Sequence, residues 1–160
     1  MIEIVPVTRK HADALLMGDE EFTARYGWKV VAGYLDSPEV LPAIRDALAE
    51  GADPTWGSHL VVDPEAGELV GFGGFKGPPE DGRVEIGYSV APARRRKGHA
   101  RDAAMLMIEQ ATQAGVHTVV AHTLAEPNVS NHLLENLDFT FVGEIAVTGA
   151  GPVWRWELSR

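Results

Sequence analysis

The sequence contains no cysteine, and only 14 of its 160 residues are Lys or Arg, against 23 Asp or Glu. Without cysteine there can be no disulfide, no thiolate-bound metal and no cysteinyl acyl-enzyme. The net charge of −9 does not fit the broad basic face that is typical of nucleic-acid-binding proteins. No apolar run is long enough to cross a bilayer, and Met1 to Val5 lack the basic start of a signal peptide. We therefore expect a cytoplasmic protein that binds neither nucleic acid nor membrane.

Other catalytic patterns are incomplete. The six histidines include no pair spaced i, i+4 on an expected helix beside an acidic third ligand. His117 and His122 fall on opposite faces of an expected strand, so no metal site is predicted. Residues 87–91 approach the Gly-x-Ser-x-Gly motif of serine hydrolases but end in Ala91, which Pro92 follows. A serine esterase is therefore disfavoured.

Hydrophobic periodicity predicts a single α+β domain over residues 1–160. Strands are expected at residues 2–7, 59–62, 69–75, 84–91, 116–124, 140–147 and 153–158, and helices at 11–17, 37–50, 99–114 and 128–137. The last two strands should form a hairpin over the turn at 149–152. Hairpin-linked strands should be antiparallel, whereas the strand–helix–strand unit over 84–124 should pair its strands in parallel. The result is a mixed central sheet flanked by helices.

Residues 83–110 combine a strand, a basic turn and an amphipathic helix. Four successive cations occupy residues 94–97, and the small residues Gly98 and Ala100 let the backbone approach a ligand closely. Backbone N–H groups at a helix start attract phosphate. The segment therefore predicts a site for a multiply charged anion; the alternative is a solvated basic loop.

These residues carry a family resemblance. Residues 95–100, Arg-Arg-Lys-Gly-His-Ala, resemble the Gln/Arg-x-x-Gly-x-Gly/Ala signature of the GNAT superfamily of N-acetyltransferases. Glu85-Ile86-Gly87-Tyr88 before the turn and Asn128-Val129-Ser130 after the next strand resemble the branch that includes ribosomal-protein N-terminal acetyltransferases. Residues 134–139 look like the family's Leu-Glu-Lys-x-Gly-Phe segment, with Asn136 in place of the Lys and Asp138 in place of the Gly. The resemblance implies a GNAT fold, splayed between the strands that carry Glu85 and Thr118.

The resemblance also implies acetyl transfer from acetyl-CoA to a primary amine, either a protein N-terminus or a small amine, by direct attack in a ternary complex. Backbone amides of residues 96–101 would hold the pyrophosphate, and those near Ser89 and Val90 would polarise the thioester. The cofactor-binding residues expected are Ser89, Val90, Arg95, Arg96, Lys97, Gly98, His99, Ala100, Arg101 and Asn128. The alternative is a non-catalytic acyl-CoA-binding sensor that keeps this turn without the chemistry.

Glu85 is the expected general base, because an amine must lose a proton to complete acyl transfer. Strand alternation places Glu85 on one face with Gly87 and Ser89; an ordinary solvent-facing glutamate is the alternative. Many family members donate a proton from a tyrosine in the late helix, which this chain lacks. Ser130 is the candidate donor and Asn128 the orienting residue, although helix capping alone would also explain both.

Two aromatic groups have open roles. Phe22, Tyr26, Trp28 and Tyr34 either line the acceptor pocket or belong to the core. Trp154 and Trp156 share a strand face that packs inside the domain or against a second copy in a homodimer.

Overall fold

The computed structural model describes residues 1–147 and 151–160. Its strands are β1 (Glu3–Pro6), β2 (Lys29–Val30), β3 (Ser58–Asp63), β4 (Glu68–Phe75), β5 (Arg83–Val90), β6 (Thr118–Leu124), β7 (Thr140–Val147) and β8 (Gly151–Ser159). Its helices are α1 (Arg9–Met17), α2 (Asp19–Tyr26), α3 (Leu41–Ala49), α4 (His99–Gln113) and α5 (Val129–Asn136). Short 3₁₀ turns cover Pro38–Val40, Pro54–Trp56 and Pro92–Arg94.

The strands form one mixed sheet in the order β1-β3-β4-β5-β6-β8-β7, and the short β2 pairs in parallel with the start of β4. β3, β4 and β5 are antiparallel neighbours, while β5 and β6 are parallel and are connected through α4. The predicted α+β architecture and its strand directions are confirmed. Of the expected 149–152 turn, residues 149 and 150 lie outside the described residues.

The parallel ladder between β5 and β6 stops before either strand does. Its register runs from Arg83 opposite Thr118 to Ile86 opposite Ala121. β5 nevertheless continues to Val90, and β6 continues to Leu124. The strands therefore diverge, and the carboxyl half of β5 presents an unpaired backbone edge to the gap.

Two hydrophobic clusters cover the two faces of the sheet. One packs α4 and α5 against buried residues of β5, β6 and β8, including Ile86, Val119 and Trp156. The other packs α1, α2 and α3 against β3 and β4, where Leu60 and Phe72 are buried. Trp154 also packs against the first cluster, so the tryptophan face of β8 lies inside the domain.

The region between α1 and α3 departs from the prediction because it contains a helix, α2, that hydrophobic periodicity did not reveal. Asp19, Glu20 and Glu21 occupy its first turn, where negative charge stabilises the positive end of the helix dipole. Phe22 is fully buried in the second cluster, against which Tyr26 and Trp28 pack, so these aromatic residues serve the core.

The expected helix at 37–50 begins later than predicted. Pro38–Val40 forms a 3₁₀ turn, and the α-helix starts at Leu41 without a capping bond from the Ser37 side chain. No helix within residues 1–147 and 151–160 is both long and apolar enough to cross a membrane.

Candidate active site

Strand alternation on β5 separates a core face from a functional face. Val84 and Ile86 are buried against α4, whereas Glu85 points to the opposite side with its side chain 28% exposed. The carboxylate is not isolated there. Oε2 of Glu85 lies 3.0 Å from Nδ1 of His122 on β6 and 3.6 Å from Nζ of Lys76 just after β4. Glu85 is therefore a partnered carboxylate rather than an ordinary solvent-facing residue.

A cavity of about 610 Å³ lies against Glu85. Its walls come from the β4–β5 connection and from β5, β6 and β8. The lining residues are Lys76, Gly77, Pro78, Glu80, Asp81, Arg83, Val84, Glu85, His117, Val120 and Arg155. Acidic and basic side chains occur in equal number in this wall, so the cavity has no excess of either charge.

The basic turn leads from β5 into α4 through left-handed backbone positions. Arg96 has φ 64°, and Gly98, the residue that precedes α4, has φ 80° and no side-chain cap. Within the described residues, no protein group accepts a hydrogen bond from the backbone N–H groups of residues 96–101. These donors and the dipole of the 15-residue helix are suited to a phosphate group.

The four cations of the turn have different roles. Arg94 makes two 2.8 Å bonds from Nε and Nη2 to Glu68, which hold the pKa of the Glu68 carboxyl below its usual range. Nε of Arg95 donates to the Val90 carbonyl at 3.0 Å and ties the turn to β5. Arg96 and Lys97 are exposed and form no ion pair among the described residues. Arg94 thus serves the fold, while Arg96 and Lys97 have side chains free for an anion.

His99 occupies the first position of α4, and its ring is directed away from solvent. The side chain is 13% exposed, and Nε2 lies 3.9 Å from Oδ2 of Asp63 at the end of β3. Contact of His99 with an anion at the turn would therefore come from its backbone N–H.

Ser89 and Val90 differ in the direction of their backbone groups. The Ser89 carbonyl lies towards Gly71 of β4, and in a strand the N–H of a residue points the same way as its carbonyl. The backbone N–H and carbonyl of Val90 point to the opposite edge of β5, towards the gap. Main-chain pairing with a ligand in the gap therefore suits Val90, whereas Ser89 offers its hydroxyl.

Asn128 and Ser130 separate at the start of α5. Oδ1 of Asn128 accepts a hydrogen bond from the Asn131 backbone at 3.0 Å and caps the helix. The half-buried Ser130 makes no side-chain hydrogen bond within the described part of the chain. Capping therefore accounts for Asn128 but leaves the Ser130 hydroxyl without a structural role.

The structure also brings in residues that the sequence did not associate with the site, above all His122. Glu85 stands opposite Val120 in the parallel ladder, which places His122 two residues further on the same face. A parallel register has no local sequence signal, so the histidine spacing alone could not reveal this contact. Tyr88 does not supply the missing donor, because it packs against the first core cluster, where burial raises its pKa to about 12.

Known proteins place these features in a family. A family model described as an acetyltransferase (GNAT) domain matches residues 2–140. The chain belongs to this family. The resemblance inferred from residues 95–100 is therefore confirmed, and the protein is an acetyl-CoA-dependent N-acetyltransferase.

The GNAT relatives differ in their acceptors. An uncharacterized N-acetyltransferase of Bacillus subtilis, YjdG, is 29% identical over 132 residues, which cover 79% of each chain. A spermidine N-acetyltransferase chimera of Vibrio cholerae SpeG and hSSAT is similar in structure, with a TM-score of 0.71, 17% identity and coverage of 99% of this chain and 95% of that one. The ribosomal-protein-S5-alanine acetyltransferase of Vibrio fischeri has a TM-score of 0.66 at 16% identity, with 99% and 92% covered. A ribosomal-protein acetyltransferase thus occurs among the similar folds, as the suspected branch suggests, but the fold alone does not select an acceptor.

Proposed function

We propose that this GNAT enzyme acetylates the N-terminal amine of a peptide or protein, with Glu85 as the general base. The observation that carries the proposal is the position of Glu85. It stands one residue before the end of the β5–β6 ladder, at the base of the gap, and its side chain forms part of the cavity wall. A thioester in the gap and an amine in the cavity would meet at this carboxylate.

The turn before α4 fits the pyrophosphate of acetyl-CoA. The unpaired N–H groups of residues 96–101 form the cradle, and Arg96, Lys97 and Arg101 are exposed around it. Charge-assisted hydrogen bonds from such donors are stronger than neutral ones. When bound, acetyl-CoA supplies an acetyl group activated as a thioester.

The gap between the strands suits the pantetheine arm. An extended amide-containing chain can pair with an exposed strand edge, and the Val90 N–H is directed to this edge. The Val90 carbonyl is already bound by Arg95. Val90 would therefore donate to the ligand, and the Ser89 hydroxyl lies beside it.

The cavity beside Glu85 is the proposed acceptor site. A polyamine carries only positive charge and is best matched by a wall dominated by carboxylates. Here Glu80 and Asp81 are balanced by Arg83 and Arg155, which suits a peptide that presents an amine together with polar or acidic groups. A small polyamine is the alternative acceptor, and activity with each distinguishes them.

In the proposed reaction the amine nitrogen attacks the thioester carbon, Glu85 takes the proton from nitrogen, and the C–S bond breaks. Ser130 would donate a proton to the departing thiolate, because its hydroxyl is not used in capping. Asn128 would act by holding the first turn of α5 in place. Positioning of the amine beside the thioester would supply much of the rate.

The Glu85→Gln variant tests the role of the base. We expect unchanged affinity for acetyl-CoA and a kcat lowered by about 10²- to 10⁴-fold, the usual contribution of a general base. Glu3→Gln, a change at an exposed strand glutamate on β1 at the far edge of the sheet, is the matched control. Wild-type turnover in Glu85→Gln would remove Glu85 from the mechanism. A wild-type protein that binds acetyl-CoA but acetylates no amine would favour the sensor.

A further inference from the structure

Two side chains converge on the same oxygen of Glu85. His122 Nδ1 lies 3.0 Å from Oε2, and Lys76 Nζ lies 3.6 Å from it. Among the described residues, both ion-pair contacts of Glu85 are made by Oε2. The two carboxylate oxygens are therefore not equivalent: Oε2 lies against two basic side chains, and Oε1 does not.

His122 is better suited than Lys76 to fix the carboxylate. The Lys76 side chain is 66% exposed and its ammonium lies 3.6 Å from the carboxylate, whereas His122 is 20% exposed and its Nδ1 lies 3.0 Å from it. Exposed ion pairs contribute little because water screens them and flexible side chains lose entropy in forming them. His122 also belongs to β6, so the sheet itself positions its ring.

The surroundings of the ring determine which nitrogen carries the proton. Nε2 of His122 is buried and has no hydrogen-bond partner among the residues that the structure describes. A doubly protonated ring would bury a second N–H donor, together with a positive charge, without an acceptor. A neutral ring with its proton on Nδ1 puts that N–H beside Oε2 of Glu85, 3.0 Å away, and leaves only a lone pair at Nε2.

We propose that His122 is a positioning residue for the general base, and that Oε1 of Glu85 is the oxygen that takes the amine proton. This inference rests on the proposed role of Glu85. His122 Nδ1–H holds Oε2 and thereby directs Oε1 to the amine. As the N–C bond forms and the C–S bond breaks, the proton moves from nitrogen to Oε1, and the electron pair of the C–S bond leaves with the thiolate.

Three other charged side chains lie near Glu85 and His122. Lys76 faces this pair from the end of β4, and Arg155 and Glu157 face it from β8, where they stand opposite His122 and Val120. Arg155 and Glu157 are bonded to each other at 2.8 Å. Of these groups, only Lys76 contacts Glu85, so removal of the His122 donor takes away the closest partner of the base.

Two substitutions at one position test the proposal. In His122→Asn the amide nitrogen takes approximately the place of Nδ1 and keeps a donor, whereas His122→Leu removes it. We expect His122→Leu to lower kcat by about 10- to 100-fold, because a misplaced base loses efficiency steeply. kcat and kcat/KM should fall equally and KM should stay near its wild-type value, because the interaction that is lost acts only in the transition state. His122→Asn should restore kcat towards the wild-type value.

Three controls make the outcome decisive. Acetyl-CoA affinity and Tm, measured for both variants, show whether each one folds and binds its co-substrate. A wild-type kcat in His122→Leu, or a loss that appears only in KM, would overturn the proposal. Equal loss of kcat in both variants would also overturn it, because a donor at the position of Nδ1 would then make no difference to the base. Glu85→Gln, assayed alongside, distinguishes the role of Glu85 as base from the role of His122 as its positioning residue. If Glu85→Gln is fully active, the proposed function is wrong. If Glu85→Gln is inactive and His122→Leu is fully active, only the positioning role of His122 is wrong.

Discussion

Gly98 and Gly115 offer a matched test of the phosphate turn, because they flank the two ends of α4 with almost the same backbone conformation. Gly98 has φ 80° before the helix, and Gly115 has φ 85° after it. A Cβ at either position would meet no other atom within 4 Å. Replacement of each glycine by valine should therefore destabilise the fold similarly, by about 1–2 kcal/mol for a left-handed residue.

Only Gly98→Val should also weaken acetyl-CoA binding. Gly98 lies in the middle of the unpaired N–H groups of residues 96–101. A valine there either changes φ and turns an N–H away or places its methyl groups where phosphate oxygens must approach. Loss of one hydrogen bond to a charged group costs about 1.5–3 kcal/mol, which corresponds to an increase in Kd of about 10- to 150-fold.

Titration calorimetry of acetyl-CoA with wild type, Gly98→Val and Gly115→Val measures this difference, and thermal unfolding of the three proteins checks that the strain is matched. We expect Gly115→Val to bind acetyl-CoA with an affinity close to that of wild type. Unaltered affinity in Gly98→Val, or equal weakening in both variants, would refute the assignment of the turn.

Further predictions concern packing, acidity and the late helix. Gly73→Ala should lower the free energy of unfolding by about 1–3 kcal/mol in urea titrations, because its Cβ would overlap the Gly87 carbonyl oxygen; Gly87→Ala, whose Cβ has its nearest contact at 3.8 Å, is the control. Burial lowers the pKa of His59, so below about pH 6.5 the unfolded state binds the extra proton and stability should fall by up to about 1.4 kcal/mol per pH unit. His59→Asn should show a shallower fall between pH 7 and about pH 5, and an identical slope would contradict this reasoning. Ser130→Ala should lower kcat with an unchanged Tm, whereas Asn128→Ala should cost about 1 kcal/mol of stability through its lost cap; a stability loss in Ser130→Ala would contradict the assignment.

The parts of the site that depend on consecutive residues could be predicted from the sequence. The β5 strand, the basic turn and α4 lie within one continuous segment, and alternation alone places Glu85 opposite the buried Val84 and Ile86. These features could be predicted because consecutive residues determine them without a partner from a distant part of the chain.

The parts that depend on register and long-range pairing could not be predicted. The contact between His122 and Glu85 follows from the alignment of two parallel strands separated by a helix. The bidentate pairing of Arg94 with Glu68 joins residues 26 positions apart, and it gives a structural role to a cation that the sequence placed near the ligand. The helix α2 could not be predicted because hydrophobic periodicity is weak in it. Its first turn is acidic, and Phe22 is its only buried residue.

We propose that this protein transfers acetyl groups from acetyl-CoA to an amine at Glu85, with a peptide N-terminus as the preferred acceptor. The most direct measurement is thiol release from acetyl-CoA in the presence of N-terminal peptides, polyamines and small amines, with the acetylated product identified by mass spectrometry. We expect release that is stimulated most by a peptide and suppressed in Glu85→Gln. Release that no amine stimulates, although calorimetry shows that acetyl-CoA binds, would contradict it.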